Sequence, residues 1–349
     1  MEEEAYCGPA DFELELVNLY KTTARRICSF LNSLENVVTF VSYPDIFIYI
    51  FTILINLFHF WILTRKSMRF SSINLIMAAV AISDIFAQFY WIQQKIQSHY
   101  EDLNICYGPN FWKYMSISGN FLYWIQGNFR RYSTWLSLSI AIIRTIVVRY
   151  PMSTRAEQLP RPKTALFCCF ATILATLPLS ILGFFEHTTD KLGPVPCEVY
   201  GSYVYYNTGL SKFFYAHDYF ISKLYTLANI LVSKFVPCLL YPIFTFFLVV
   251  ELRKIEKSRK KLSTSSTQKS SSSARTTKLV LYLTVTFFIA EFPLGIISIL
   301  DGFLNDPKAV PLFIIGLFLN YFTKLLTLFL SVVSCTHMII CILQCDAKR

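Results

Sequence analysis

The stretch "AIIRTIVVRYPM" at residues 141–152 places Arg144 inside an apolar run that Pro151 closes seven residues later. A charged side chain within an apolar run is costly unless it reaches water or meets a partner. The rest of the chain is also apolar, because 54% of its 349 residues are hydrophobic and only 15% are charged. Soluble domains carry about 25% charged residues. The composition therefore predicts a membrane protein.

Seven apolar runs are each long enough to cross a bilayer as a helix, which takes about 20 residues. A chain in lipid must satisfy its own backbone polar groups, so these runs predict helices. The third run is the least apolar, because it contains Arg130 and Arg131. The runs cover residues 44–64, 72–95, 116–148, 164–185, 222–250, 279–302 and 311–343.

The distribution of Lys and Arg predicts the orientation. Residues 1–43 hold seven acidic and three basic residues, whereas residues 251–278 hold nine basic and two acidic residues. Cytoplasmic loops carry the excess of Lys and Arg, so the N-terminus is predicted outside and the C-terminus inside. The net charge of +10 then lies beside anionic lipid and does not indicate nucleic-acid binding.

The same reading divides the chain into three parts. An extracellular tail (1–43) precedes a membrane domain (44–343), and a short cytoplasmic tail (344–349) follows it. A third intracellular loop covers about 251–278 and is rich in Ser and basic residues, a composition typical of a flexible linker.

Four of the ten cysteines, Cys7, Cys28, Cys106 and Cys197, fall in predicted outside segments. Four cysteines in an oxidising compartment can pair in three ways, and the sequence does not choose among them. Cys345 follows the last apolar run and is a candidate for palmitoylation.

The second outer loop predicts a β-hairpin. It reads "CEVYGSYVYYNT" from Cys197 to Thr208, and Val and Tyr flank Gly201-Ser202. Val and Tyr favour strands, and Gly-Ser favours a turn. A short hairpin tethered through Cys197 would cover a cavity between the helices.

Four stretches carry a resemblance to a known family. They read "NLFHFWILTRKSMRFSSINLIMAAVAISDI" (56–85), "RYSTWLSLSIAIIRTIVVRYPM" (131–152), "KFVPCLLYPIFTFFLVVELRKIEKSRKKL" (234–262) and "TTKLVLYLTVTFFIAEFPLGI" (276–296). They resemble the rhodopsin-like G-protein-coupled receptors, and within these the nematode serpentine receptor class w family, which is similar to FMRFamide-type neuropeptide receptors. The resemblance implies an all-α membrane protein of the plasma membrane, with a rhodopsin-like bundle of seven transmembrane helices and a hairpin in the second extracellular loop.

The resemblance also bears on the cysteines and the partners. It pairs Cys106 with Cys197, which leaves Cys7 and Cys28 as a candidate second pair. It implies a heterotrimeric G protein as the intracellular partner and the lipid bilayer as the surroundings.

The resemblance gives Arg144 a role. Arg144 matches the arginine of the family's Asp-Arg-Tyr motif, with Pro151 at the expected offset, and this implies a switch that engages the G protein. Snorkelling of Arg144 to the interface is the alternative. Ile143 and Thr145 stand where the motif has an acid and a Tyr, so the neighbouring ionic lock is missing.

Further switch positions follow from the resemblance. Asp84 with Ser133 resembles part of a sodium pocket, but "VSCTH", ending at His337, replaces the seventh-helix Asn-Pro-x-x-Tyr pattern. A hydrogen-bonded polar cluster around Asp84 is therefore favoured over sodium binding, and His337 is read as a hydrogen-bonding residue. Pro237 and Pro293 match prolines that kink the fifth and sixth helices.

Charged side chains within the predicted helices are candidate ligand contacts. Arg131 lies roughly 20 Å nearer the outside than Arg144. In the architecture that the resemblance implies, Arg130 or Arg131 faces Glu291, and we expect such a pair at the floor of the pocket. The alternative is a pair that only sets helix packing. The candidate ligand-binding residues are Gln126, Arg130, Arg131, Glu198, Lys234 and Glu291.

The leading interpretation is a receptor that couples an extracellular peptide, FMRFamide-like by resemblance, to G proteins. Bases outnumber acids in the predicted helix interior, and Gln126 stands where amine receptors carry an acid, so a cationic amine fits poorly. A chemosensory receptor for a small environmental molecule is the alternative.

Other protein classes fit less well. A transporter would predict internal repeats or Gly-rich interrupted helices, but the chain shows no repeat and has only 11 Gly. Its five scattered His lack the H-x-x-x-H spacing, so we expect neither an enzyme nor a metal site, and no cofactor.

Overall fold

The structure is a computed structural model that describes residues 45–262, except 67, 104–106, 108–109, 151 and 198–200, together with residues 29, 30, 33, 36 and 37. The sixth and seventh predicted runs lie outside the described residues. The elements are α1 (Asp45–Leu63), α2 (Ser72–Asp102), α3 (Phe111–Arg149), α4 (Thr154–Gln158), α5 (Pro162–Phe184), β1 (His187–Cys197), β2 (Gly201–Leu210), α6 (Lys212–Ile230), a π-helical turn (Leu231–Phe235) and α7 (Val236–Leu262).

Helices occupy the first five apolar runs, as predicted. Within the described part of the chain, four stretches are long and apolar enough to cross a membrane: Ile46–Leu63, Ser72–Glu101, Pro162–Phe184 and Tyr219–Ile255. Several helices continue beyond the predicted runs, because hydropathy marks only the part of a helix that is apolar. In particular, α7 extends to Leu262, so the predicted third inner loop begins as a helix.

Large apolar side chains cover the outer faces of these helices. On α5, Leu166 and Phe167 are each 71% exposed and Phe170 is 61% exposed. Burying an apolar side chain is worth about 1.5–3 kcal/mol, so such a surface is unfavourable in water. In a protein with membrane-spanning helices these side chains face lipid.

The core lies where α2, α3 and α5 meet. Ile76, Leu136, Ile143 and Ala165 are buried and pack together. Helix α3 contacts α2, α5, α7 and both strands. Because it is surrounded on several sides, polar side chains of α3 such as Ser116, Ser133 and Thr145 bond to other elements.

The predicted β-hairpin is present. Strand β1 pairs antiparallel with β2 from His187 opposite Leu210 to Cys197 opposite Gly201. The hairpin is longer than the sequence indicated, and the expected turn position was wrong: Gly201 and Ser202 belong to β2. The Val- and Tyr-rich signal marked only the second strand, since β1 reads "HTTDKLGPVPC" and has weak strand preference.

Hydrogen bonds fix the hairpin on the N-terminal part of α3. The Ser116 hydroxyl donates to the Thr189 hydroxyl at 3.2 Å. The Asn120 side chain donates to Thr189 at 3.2 Å and accepts from Thr208 at 2.7 Å. The hairpin is therefore held against the third helix by its own side chains.

Candidate functional site

Arg131 lies at the centre of the polar contacts between α3 and α6. Its side chain is only 3% exposed. The Nε atom donates to the Ser233 hydroxyl at 3.1 Å, and Ser233 donates to the Asn229 side chain at 2.8 Å. The Nη1 atom is buried and has no hydrogen-bond partner in the part of the chain that the structure describes. Among the described side chains, none accepts a hydrogen bond from this donor of the guanidinium.

Tyr225 connects Arg131 to Glu186. Its side chain lies within hydrogen-bonding reach of both Arg131 and Glu186. Side chains on a helix lean towards its N-terminus, so Arg131 extends towards Glu186. Glu186 follows α5, and its carbonyl accepts from the Ser211 N–H at 2.9 Å where α6 begins. The three side chains form one cluster at the base of the hairpin.

The ionisation of Glu186 is unusual. Burial raises the pKa of Glu186 to about 7, although the charge of Arg131 and the bond from Tyr225 act in the opposite direction. The neighbouring His187 Nε2 lies 3.8 Å from the Glu186 carboxylate, and burial lowers the pKa of His187. His187 is therefore mostly neutral near pH 7, and Glu186 changes charge near that pH.

Glycine at position 183 makes room for Tyr225. A Cβ atom built on Gly183 would lie 2.5 Å from the Tyr225 hydroxyl oxygen and 3.4 Å from its Cζ atom. Carbon and oxygen atoms cannot approach so closely, so any side chain here displaces the tyrosine.

We expect Gly183→Ala to lower the potency of any activating ligand about tenfold, which corresponds to roughly 1.4 kcal/mol. Gly193→Ala is the matched control, because a Cβ atom there meets nothing within 4 Å. Concentration–response curves at equal surface expression make the comparison. Equal potency for the two variants would exclude a functional role for the position of Tyr225.

The π-helical turn shapes the other side of this cluster. Its Val236 N–H bonds to the Leu231 carbonyl, five residues back. In the same spacing of five residues, the Val232 carbonyl would accept a hydrogen bond from the N–H of residue 237. Residue 237 is Pro237, which has no N–H. Instead the Trp135 indole donates to the Val232 carbonyl at 3.1 Å. A contact between helices thus satisfies the carbonyl that proline leaves open.

A second polar contact joins α2 and α3. The Ser133 hydroxyl donates to the Asp84 carboxylate at 2.7 Å. Arg130 interacts electrostatically with Asp84. The two consecutive arginines therefore have different surroundings, with Arg130 near Asp84 and Arg131 near Tyr225.

We expect Ser133→Ala to destabilise the receptor by about 1–3 kcal/mol, because it leaves a buried carboxylate oxygen without its donor. Ser139→Ala is the control, since Ser139 donates only to the Trp135 carbonyl of its own helix. Melting temperatures of the purified variants test this. A Ser133→Ala receptor as stable as the control would contradict it.

Near the C-terminal end of α3, the neighbours of Arg144 have packing roles. Ile143 is buried in the core of α2, α3 and α5. The Thr145 hydroxyl donates to the Phe244 carbonyl at 3.1 Å and so joins α3 to α7. Arg144 itself is half-buried, and no ion pair of this residue occurs within the described range.

The remaining predicted site residues fall into two groups. Gln126 is half-buried on α3, and Lys234 is half-buried within the π-helical turn. The following predicted residues lie outside the described residues: Cys7, Cys28, Cys106, Pro151, Glu198, Glu291, Pro293, His337 and Cys345. The proposed pairing of an arginine with Glu291, and both disulfides, therefore stay predictions. Among the described residues, no group of His, Cys, Asp and Glu could hold a metal ion.

Sequence reasoning missed three contributors to the cluster around Arg131. Tyr225 is one of 21 tyrosines, and nothing in its local sequence marks it. Ser233 and Trp135 have ordinary neighbours in an apolar helix. A glycine at position 183, near the end of an apolar run, was the one available signal.

Comparison with known proteins agrees with this architecture. A family model described as serpentine type 7TM GPCR chemoreceptor Srw matches residues 43–345. No curated protein sequence matches the chain closely enough to count as a relative. The matched family consists of multi-pass plasma-membrane receptors that lie in the bilayer and couple to G proteins, and it is not a class of enzymes. The resemblance read from the sequence is confirmed, and the chain belongs to the Srw family of serpentine seven-transmembrane G-protein-coupled chemoreceptors.

Proposed function

We propose that this receptor is activated by an extracellular peptide, with FMRFamide-like peptides as the leading candidates, and that it signals through heterotrimeric G proteins. In this proposal the N-terminal tail (1–43) lies outside, the receptor domain spans 44–343, and residues 344–349 lie in the cytoplasm. Cys106 and Cys197 form the outer disulfide, with Cys7 and Cys28 as a second candidate pair.

The observation that carries the proposal is the cluster of Arg131, Tyr225 and Glu186 at the base of the hairpin. A buried arginine whose Nη1 atom finds no partner within the described part of the chain is costly in lipid unless it serves a site. Glu186 retains 16% exposure of its side chain. The cluster therefore offers an extracellular ligand a route from a partly exposed acid to a buried base.

The distance along α3 between the hairpin and Arg131 favours a peptide over a smaller ligand. Ser116 and Asn120 are held by the hairpin, and Arg131 lies about 22 Å further along the helix than Ser116. Gln126 lies between Asn120 and Arg131. A peptide of several residues can contact polar groups over such a length, and Glu186 offers a carboxylate for a ligand arginine.

In this proposal two sets of residues have different roles. Ligand contacts come from Gln126, Arg130, Arg131, Glu198, Lys234 and Glu291. Movement of the helices then exposes Arg144 to the G protein, and the residues that support this switch are Asp84, Pro151, Pro293 and His337.

A small environmental molecule is the second candidate ligand. The family description supports it directly, because it names chemoreceptors. Such a ligand would occupy only part of the polar surface on α3, near Arg131.

The test is a G-protein dissociation assay in cells that express the receptor at the surface, with a panel of amidated Arg-Phe peptides and a panel of water-soluble small molecules. Nanomolar activation by a peptide, absent in cells without the receptor, is the expected result. Activation only by small molecules would replace the peptide with the second candidate.

A further inference from the structure

We infer that the Nη1 atom of Arg131 donates a hydrogen bond to a neutral carbonyl oxygen of the ligand, and that Glu186, acting through Tyr225, makes this subsite reject carboxylates. The inference rests on the proposed function, because it names the chemical group that the proposed ligand presents at the pocket floor.

The first step is the geometry of the guanidinium. Nε is held by Ser233 at 3.1 Å, and Tyr225 lies within reach of the same side chain. These contacts fix the plane of the guanidinium, and Nη1 remains without a partner among the described residues. A fixed, buried donor of this strength calls for an acceptor atom, and an oxygen atom is the usual acceptor.

The second step is the charge of the cluster. Arg131 and the ionised form of Glu186 sum to zero, and they interact electrostatically. A ligand carboxylate at Nη1 would add a second negative charge near Glu186. A neutral carbonyl oxygen accepts the same hydrogen bond without that repulsion. The neutral acceptor is therefore preferred whenever Glu186 is ionised.

The third step is the protonation of Glu186, which sets a pH dependence. Among the described residues, the groups that face Glu186 are Arg131 and Tyr123 of α3, His187 of β1 and Tyr225 of α6. Burial raises the pKa of Glu186 to about 7, so the carboxylate gains a proton as the pH falls through this value. Protonation removes the repulsion, and carboxylate ligands should gain potency between pH 8 and pH 6, whereas neutral ligands should not.

The first experiment compares each activating peptide in its C-terminal amide form and its free-acid form at pH 8. The wild-type receptor should prefer the amide about tenfold, as expected for one unfavourable charge interaction in a partly buried site. Glu186→Gln should remove or reverse this preference, and Lys191→Gln, an exposed change on the hairpin, should keep it. An unchanged preference in Glu186→Gln would overturn the inference.

The second experiment needs no activating ligand. Melting temperatures of purified wild type, Glu186→Gln and Glu186→Gln/Arg131→Gln are compared in sodium acetate and in sodium chloride of equal concentration. Acetate should stabilise Glu186→Gln more than wild type, and the double variant not at all, because only a receptor that binds acetate in its folded state is stabilised. Equal effects of acetate on all three proteins would overturn the inference that Arg131 and Glu186 form this subsite.

The two experiments separate the two proposals. If no peptide activates the receptor in either form, the peptide function fails, and the acetate comparison alone decides the subsite. If the double variant does not fold, Arg131→Lys replaces Arg131→Gln, since lysine keeps the positive charge and loses the fixed Nη1 donor. Acetate should then stabilise Glu186→Gln/Arg131→Lys less than Glu186→Gln, and equal stabilisation would overturn the inference.

Discussion

Replacing Arg144 by alanine is expected to abolish G-protein activation while leaving the receptor at the cell surface. Arg144 is half-buried near the C-terminal end of α3 and belongs to no ion pair among the described residues. Its removal therefore breaks no ion pair within that part of the chain. The maximal response should fall at least about tenfold, because the variant lacks a contact with the G protein. Its ligand site is unchanged.

Lys163→Ala is the control for this experiment, because Lys163 is an exposed basic residue at the N-terminal end of α5. The assay is G-protein dissociation, with surface expression measured on the same cells. A normal maximal response in Arg144→Ala would remove Arg144 from the mechanism and leave the snorkelling interpretation in its place.

The neighbours of Arg144 also predict G-protein activation in the absence of ligand. The position before Arg144 holds Ile143, which packs in the core and offers no carboxylate to restrain the arginine. We therefore expect basal G-protein activation above that of cells without the receptor. Arg144→Ala should remove this basal signal together with the ligand response, and a receptor that is silent without ligand would contradict the expectation.

Arg131→Gln is expected to lower the potency of an activating peptide about a hundredfold, since removing one partner of a buried charged pair costs about 2–5 kcal/mol. The variant loses the Nη1 donor and leaves Glu186 and Tyr225 without their cationic neighbour. The maximal response at saturating peptide should persist, because Arg144 is unchanged. A lowered potency together with an unchanged maximal response would identify Arg131 as a ligand contact and not as a switch residue.

Lys113→Gln is the matched control for Arg131→Gln, because Lys113 is an exposed cation on the same helix. Concentration–response curves for both variants, at equal surface expression, give the comparison. If Arg131→Gln lowers expression and leaves potency unchanged, Arg131 serves helix packing alone.

The sequence predicted the membrane helices and the hairpin because both depend on local composition. Five apolar runs became helices, and a Val- and Tyr-rich segment became a strand. The helix ends were predicted less well. Helix α2 continues to Asp102 and α7 to Leu262, since a helix can extend beyond the hydrocarbon, where hydropathy no longer marks it.

The candidate site was less predictable because it depends on contacts between distant residues. Arg131 was recognised, since a charge within an apolar run is visible in the sequence. Its neighbours Tyr225 and Glu186 follow it by roughly 94 and 55 positions, respectively, and no local pattern relates them to it. Only the packing of α3, α5 and α6 brings them together. The π-helical turn was likewise unpredicted, although Pro237 marks its end.

The π-helical turn also matters for comparing this chain with its relatives. One extra residue in a helical turn acts as a single-residue insertion within a membrane-spanning helix. Deleting one residue from Leu231–Phe235 would rotate the outer part of the helix by about 100° relative to the inner part. Tyr225 would then leave the face that meets Arg131. An alignment with a relative whose helix is uninterrupted therefore needs a one-residue gap at 231–235, and without that gap every outer position of this helix is matched to the wrong neighbour.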